Sequence, residues 1–435
     1  MGYNDAIDES RNDPDRVEWF RNLGLGLFVH WSVDVQLGSV ISHSMVGASE
    51  DYRTRYIEDL PKTFNPTNFD PDEWARLAKV AGMRYVMFTA KHLNGFAMWD
   101  TDTTTFNVTN TPYGGDIVRE VADAFRKQDI PIGIYFCPED GWLLHQQGRE
   151  VSREREYAIP TNNAELMEHN KAQIRELFTN YGDIDLLFID GEAEELRDVA
   201  WDLQPEVVIT RGAMDTPEQV LRDEPADRAW EGNVTIGSQW SYKAGDERYK
   251  SGNELIKYFI ETRAKGGNLL LNIGPRPDGT IPVPQEDRLR ELGLWNFVNH
   301  EGIYGVRPCQ RIREGNREEV IWFTRASRDE PTTVYAFVTD ANWTRSAASR
   351  SFTFESVEAT EETEVEILGQ SGAVFEYRPD CNPEASWTQD DAGLHITATR
   401  AQRLYNPGSY EGSPEEVKWS NPPVIKITNA RTVEP

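Results

Sequence analysis

Cysteine is scarce. The 435 residues hold three, Cys137, Cys309 and Cys381, too few and too scattered for a disulfide framework or a thiolate metal site. Lysine is also scarce: 11 lysines stand against 34 arginines. Basic residues as a whole number 45 against 73 acidic ones, for a formal net charge of -28. Nucleic acid and anionic membrane both need a basic face, so this balance excludes them as partners. No apolar run is long enough to span a membrane. Met1 to Arg21 is polar and acidic, with neither the apolar stretch of a signal peptide nor a twin-arginine pair. The sequence therefore predicts a soluble, cytoplasmic protein. No internal repeat of roughly 20–50 residues is visible, and there is no Gly-rich phosphate loop.

What is present argues for a folded, salt-adapted chain. Aromatic residues are plentiful and spread along it, 13 Trp, 16 Tyr and 18 Phe, which excludes disorder despite the charge. An acidic, lysine-poor composition predicts adaptation to high salt, where self-repulsion is screened. The length fits a large barrel plus a smaller partner domain.

From about residue 20 to 300, short apolar runs alternate with amphipathic stretches. Leu25 to His30, Tyr85 to Ala90, Ile132 to Phe136, Ile184 to Ile189, Val207 to Thr210 and Asn268 to Asn272 read as strands. Phe69 to Ala81, Asp116 to Lys127, Ala164 to Tyr181 and Gln285 to His300 read as helices. Asp70 is placed to cap the first of these, with Pro71 in its first turn and Glu73 at the capping-box position. This alternation predicts an α/β fold of the (β/α)8, TIM-like barrel type over residues 1–308. The stretch from 212 to 265 resists assignment, so eight clean units are not countable. After about residue 310 the helical period stops. Val320 to Phe323, Thr333 to Val338, Phe352 to Phe354, Val365 to Leu368, Ala373 to Tyr377, His395 to Thr399 and Val424 to Ile427 predict a C-terminal antiparallel β-sandwich over 309–435.

Polar residues collect where the barrel strands end: His30, Lys91 and His92, Tyr135, Asp190, and Arg211 just after the fifth. In a barrel these ends share one mouth, and the mouth is where chemistry takes place. Asp190 closes the apolar run ending at Ile189 and is the first candidate for a nucleophile. Glycoside hydrolysis needs a second carboxylate to protonate the leaving oxygen. Glu231, beside Trp230, is the first choice, because an aromatic neighbour desolvates a carboxyl and raises its pKa. Glu224 is the competitor. A metal-dependent hydrolase would want closely spaced ligands, which His30-Trp31-Ser32 does not supply.

These segments resemble the α-L-fucosidases of glycoside hydrolase family 29. The resemblance runs through Trp19-Phe20, Gly24 to Trp31, Phe64-Asn65-Pro66, Phe69-Asp70, Lys91-His92, Gly95-Phe96, Met98-Trp99-Asp100, Gly133-Ile134-Tyr135, Asp190-Gly191, Trp230-Glu231, Lys265 to Pro275, Asp278 to Ile281 and Gly302 to Gly305. The β-rich tail is similar to the family's C-terminal sandwich. The resemblance implies a retaining double displacement on terminal α-L-fucosyl residues of glycans or glycosides, with Asp190 as nucleophile, Glu231 as acid/base and no metal or organic cofactor. It implies that His30, His92, Tyr135, Arg211 and Trp240 line the sugar pocket. Glu50, in Glu50-Asp51-Tyr52, matches a family Glu-Trp-Tyr segment and is expected to hold a sugar hydroxyl.

One departure stands out. The family reads Lys-His-His-Asp-Gly-Phe where this chain reads Lys91-His92-Leu93-Asn94-Gly95-Phe96. Leu93 donates no hydrogen bond to a sugar hydroxyl, a difference of about 0.5–1.5 kcal/mol. Two alternatives follow: a glycosidase for a related α-L-sugar such as L-galactose, or a catalytically weak sugar-binding protein on the same fold.

Overall fold

The computed structural model describes residues 10–192, 194–315, 320–339, 348–374, 379–400 and 421–434. Contacts group the chain into two compact units. One comprises Met1–Val220, Ala229–Lys250 and Leu270–Arg290; the other comprises Leu221–Arg228, Ser251–Leu269 and Glu291–Pro435.

The first unit is built on a curled parallel sheet. Its strands are β1 (Leu25–Val29), β2 (Tyr85–Lys91), β3 (Ile132–Phe136), β4 (Leu186–Ile189), β5 (Val208–Ile209), β6 (Glu231–Thr235) and β7 (Asn268–Ile273). They lie in the order β5-β4-β3-β2-β1-β7-β6. Every residue of every strand is buried, which explains why they read as continuous apolar runs rather than alternating ones. Three of the helices between the strands start on side-chain caps. Asp70 accepts from the Glu73 N–H ahead of Pro71–Ala81, Asp116 from the Arg119 N–H ahead of Ile117–Arg126, and Asn163 from the Leu166 N–H ahead of Ala164–Asn180. Each satisfies a backbone donor that the helix leaves free. Helix Ile117–Arg126 turns Ile117, Val118, Val121, Ala122 and Phe125 inward, the face expected from its spacing.

The barrel-type architecture is the expected one, but seven strands form the sheet rather than eight. Among the described residues no eighth strand lies between β5 and β6. The gap is spanned by single bridges, Arg211 to Met214, Asp215 to Trp230 and Glu218 to Asn233. This is the stretch that gave no helical or strand period in the sequence.

In the second unit, the strands Arg307–Gly315, Val320–Arg325, Thr332–Val338, Val357–Ala359, Val365–Ile367 and Val424–Thr432 form one sheet. Ala348–Phe354, Ser386–Asp390 and Gly393–Arg400 form another. One apolar cluster draws on both, including Phe323, Val334, Phe337's neighbour Ala336, Ile425 and Ile427 from the first sheet and Phe352, Phe354, Leu394 and Ile396 from the second. That is sandwich packing, with inner faces sharing a core. Ala373 and Val374 lie in no strand, and the rest of the expected strand to Tyr377 falls outside the described residues.

Candidate active site

A cavity of about 510 Å³ opens where the strands of the first unit end. It is lined by His30, His92, Tyr135, Asp190, Arg211 and Trp240, together with Phe28, Ser42, His43, Arg153, Phe188, Asp215, Thr216, Pro217 and Glu218. Residues from the ends of five strands thus share one mouth, as the sequence predicts.

Asp190 sits at the floor, just past β4, its backbone N–H donating to the Phe136 carbonyl at 3.0 Å. Each carboxylate oxygen carries a cation. Oδ1 accepts from Arg211 Nη1 at 2.7 Å; Oδ2 accepts from the Tyr135 hydroxyl at 2.6 Å and from Arg153 Nη2 at 3.2 Å. Burial pushes the carboxyl upward, but the two guanidinium groups, His92 and the Tyr135 hydrogen bond outweigh it and hold Asp190 well below the usual carboxylate range. It is an anion at neutral pH. Gly191 follows because Pro138 leaves no room for a side chain: a Cβ there would meet Pro138 Cγ at 2.5 Å.

The hydrogen bonds assign the ring protons of both histidines. The Leu93 N–H donates to His92 Nδ1 at 2.8 Å, so the His92 proton is on Nε2. That atom lies 2.9 Å from the Tyr135 oxygen, and the Tyr135 hydroxyl is thereby left to donate to Asp190. At His30, Asn272 settles the matter. The Asn272 Nδ2 donates to the Trp240 carbonyl at 2.7 Å, which turns its oxygen toward His30 Nδ1 at 2.6 Å. His30 Nδ1 carries the proton, and Nε2 is an acceptor. Burial lowers the His30 pKa to about 4 and holds that of His92 well below its ordinary value, so both rings are neutral at pH 7. The Trp240 ring packs against His30 with centroids 5.0 Å apart.

Arg211 ties the floor to the mouth. Its Nε and Nη2 donate to Thr216 Oγ1 and the Thr216 carbonyl at 3.0 and 2.9 Å, and its plane stands over the Phe188 ring, 4.7 Å from the centroid. While Nη1 holds Asp190, Nη2 forms an ion pair with Glu218. One guanidinium therefore touches two carboxylates, at different depths. The Asp190 side chain is 11% exposed and that of Glu218 41%.

Three sequence expectations are corrected here. Glu231 is not in the cavity. It begins β6 behind the cavity wall, fully buried, with its N–H donating to the Asp215 carbonyl at 3.0 Å and Oε1 accepting from the Tyr85 hydroxyl at 2.8 Å. Burial raises the Glu231 pKa to about 7, but a raised pKa without access gives no acid catalyst. Glu50 is an exposed acid in the first turn of helix Glu50–Glu58, and the competitor Glu224 is exposed as well; neither lines the cavity. Leu93 is buried away from the cavity wall, and Asn94 donates to Ser32, Asp34 and Tyr56 rather than toward a substrate. Glu218 and Arg153 also line the cavity and are not among the residues the sequence singles out. An acid eight residues past a strand end, in a segment that closes the ring, was the available signal for Glu218. Among the described residues, no three His, Cys, Asp or Glu side chains converge in a way that would hold a metal ion.

The chain is similar to known proteins over most of its length. A family model described as alpha-L-fucosidase matches residues 2–301. The tissue alpha-L-fucosidase of Rattus norvegicus is 26% identical over 453 residues, covering 94% of this chain and 89% of that protein. The plasma alpha-L-fucosidase of Homo sapiens is 28% identical over 363 residues, covering 73% and 75%. Among solved structures, alpha-L-fucosidase isoenzyme 1 from Paenibacillus thiaminolyticus superposes with a TM-score of 0.72 at 26% identity, covering 95% of this chain and 98% of that one.

Proposed function

This chain belongs to the alpha-L-fucosidase family of glycoside hydrolases, and on that premise we propose that it hydrolyses terminal α-L-fucosides by a double displacement, with Asp190 as nucleophile and Glu218 as acid/base. The observation that carries the reading is the Arg211 guanidinium, which joins Asp190, the most buried acid among the described cavity-lining residues, to a carboxylate at the rim. A retaining pair stands about 5–5.5 Å apart, and two carboxylates on one guanidinium are neighbours across a single planar group. The difference in depth separates the roles. The reacting carbon sits at the floor, and the leaving group points out through the mouth.

In the first step an Asp190 oxygen bonds to the anomeric carbon, the glycosidic C–O bond breaks, and the Glu218 proton goes to the leaving oxygen. In the second, the Glu218 carboxylate takes a proton from water. The water oxygen bonds to the anomeric carbon, and the ester bond to Asp190 breaks. Tyr135, fixed by His92, holds the nucleophile by its hydroxyl. His30 Nε2 faces the sugar as an acceptor, which favours a hydroxyl donor there. Phe28, Phe188 and Trp240 provide the apolar wall that a deoxy sugar requires.

Release of p-nitrophenol from its α-L-fucoside, measured in molar salt, tests the reading. Wild type is expected to turn over, and Asp190→Asn to lose at least about 10³-fold in kcat while unfolding at a similar temperature. Turnover by Asp190→Asn would refute the nucleophile. A folded wild type that hydrolyses another α-L-glycoside but not this one would move the substrate and leave the site intact.

A further inference from the structure

We infer that Arg153 is a second positioning residue for Asp190 and, with Arg211, sets the charge that the cavity floor presents to the sugar. The inference rests on the reading of Asp190 as nucleophile. Arg153 comes from a stretch whose following residues, Glu154, Arg155 and Glu156, are exposed. Its own guanidinium turns inward instead. Nη2 reaches Asp190 Oδ2 at 3.2 Å, Cys137 Sγ at 3.1 Å and Glu139 Oε2 at 3.9 Å. Nε lies buried with no hydrogen-bond partner among the described residues. A side chain placed only for packing would not give up that bond.

The two arginines hold different oxygens of Asp190, Arg211 on Oδ1 and Arg153 on Oδ2. They come from segments on either side of it in sequence. Together with Tyr135 they fix the carboxylate plane, so the nucleophile needs no reorganisation when the sugar enters. Arg153 also acts in the second half of the reaction. When the ester bond breaks, the electron pair returns to Asp190, and a cation already in place meets the returning charge. The cost of this arrangement is repulsion toward any cation bound at the floor. A guanidinium within hydrogen-bond distance of the nucleophile opposes a protonated ligand and leaves a neutral one unaffected.

That difference provides the test. Arg153→Met and Arg153→Gln remove the charge, and Arg153→Lys keeps it. For each, kcat and KM are measured on the aryl α-L-fucoside. Calorimetry measures the Kd of L-fucose and of a protonated, fucose-configured piperidine iminosugar. The neutral variants are expected to lose about tenfold or more in kcat with a smaller change in KM. Their preference for the iminosugar over L-fucose is expected to rise by about tenfold. Arg153→Lys should keep the wild-type preference. An unchanged preference in folded neutral variants overturns the inference even if kcat falls, because loss of packing alone is not selective for charge. Unchanged kcat in those variants overturns it as well. Failure of the underlying reading shows separately, as an inert wild type or an active Asp190→Asn. The binding ratio still decides the charge assignment in that case.

Discussion

Glu218 and Glu231 are both glutamates within one stretch of chain, and their surroundings assign them opposite work. Segment 215–218 runs parallel to 230–233, with Glu218 level with Asn233. Glu231 therefore lies two residues deeper, about 7 Å further from the mouth. Glu218 meets solvent and the cavity; Glu231 is fully buried, with Oε1 on the Tyr85 hydroxyl. Glu218→Gln is expected to lower kcat on an aryl fucoside by about 10²-fold or more, and azide to restore part of the loss in Glu218→Ala by attacking the glycosyl-enzyme. Glu231→Gln should keep turnover within about threefold. Its effect belongs to stability. A buried acid with its pKa raised to about 7 is favourable while protonated. That contribution is complete below its unfolded value and is lost as pH rises toward 7 and beyond. The amide stays neutral, so Glu231→Gln should unfold at a higher temperature than wild type at pH 8 and at nearly the same temperature at pH 4. The difference at pH 8 is on the order of 3 kcal/mol. Azide rescue at Glu231→Ala, and not at Glu218→Ala, would reverse the assignment.

At the level of elements, what the sequence reveals depends on whether a residue's neighbours in the chain are also its neighbours in space. Asp190 is legible because β4 is buried along its whole length and a carboxylate at its end has no packing reason to be there. His30, His92 and Tyr135 are legible for the same reason at β1, β2 and β3. Glu218 is not: it stands among Asp215, Asp223 and Glu224 in a segment held by single bridges, and no period says which acid faces inward. Arg153 reads as one charge in the run Arg153-Glu154-Arg155-Glu156, and only the fold brings it to Asp190. Glu231 was expected in the cavity on the strength of its aromatic neighbour, but this residue begins a strand and is absent from the cavity lining. Gly191 shows how closely β4 and the turn after β3 are fitted. An added methyl would meet Pro138 Cγ at 2.5 Å and Glu139 Oε2 at 3.0 Å, and the nearest relief is to shift Asp190. Gly191→Ala is therefore expected to lower kcat by at least about tenfold with a modest drop in melting temperature. Wild-type kcat in that variant would show that the turn yields without moving the nucleophile.

For the whole molecule, the deciding quantity is charge. Even if each basic residue paired with one acid, 28 carboxylates would be left over. They repel one another in the compact state and less so in the expanded chain, so folding carries an electrostatic cost. Salt reduces that cost as the screening length falls from about 10 Å at 0.1 M to about 3 Å at 1 M. The pairs at the cavity floor respond differently. Asp190 with Arg211 and Arg153 is largely shielded from solvent ions, so its geometry should hold across the same range. The expected outcome is a melting temperature that climbs steadily with KCl from about 0.1 to 2 M. NaCl at equal ionic strength should act almost equally, and sucrose at equal osmolality much less, because sucrose screens nothing. KM for a neutral fucoside, measured well below the melting temperature, should change little. A flat or falling melting temperature with KCl would mean that the acidic surface is already neutralised by its own pairing. An effect matched by sucrose would place it in solvent exclusion rather than in screening.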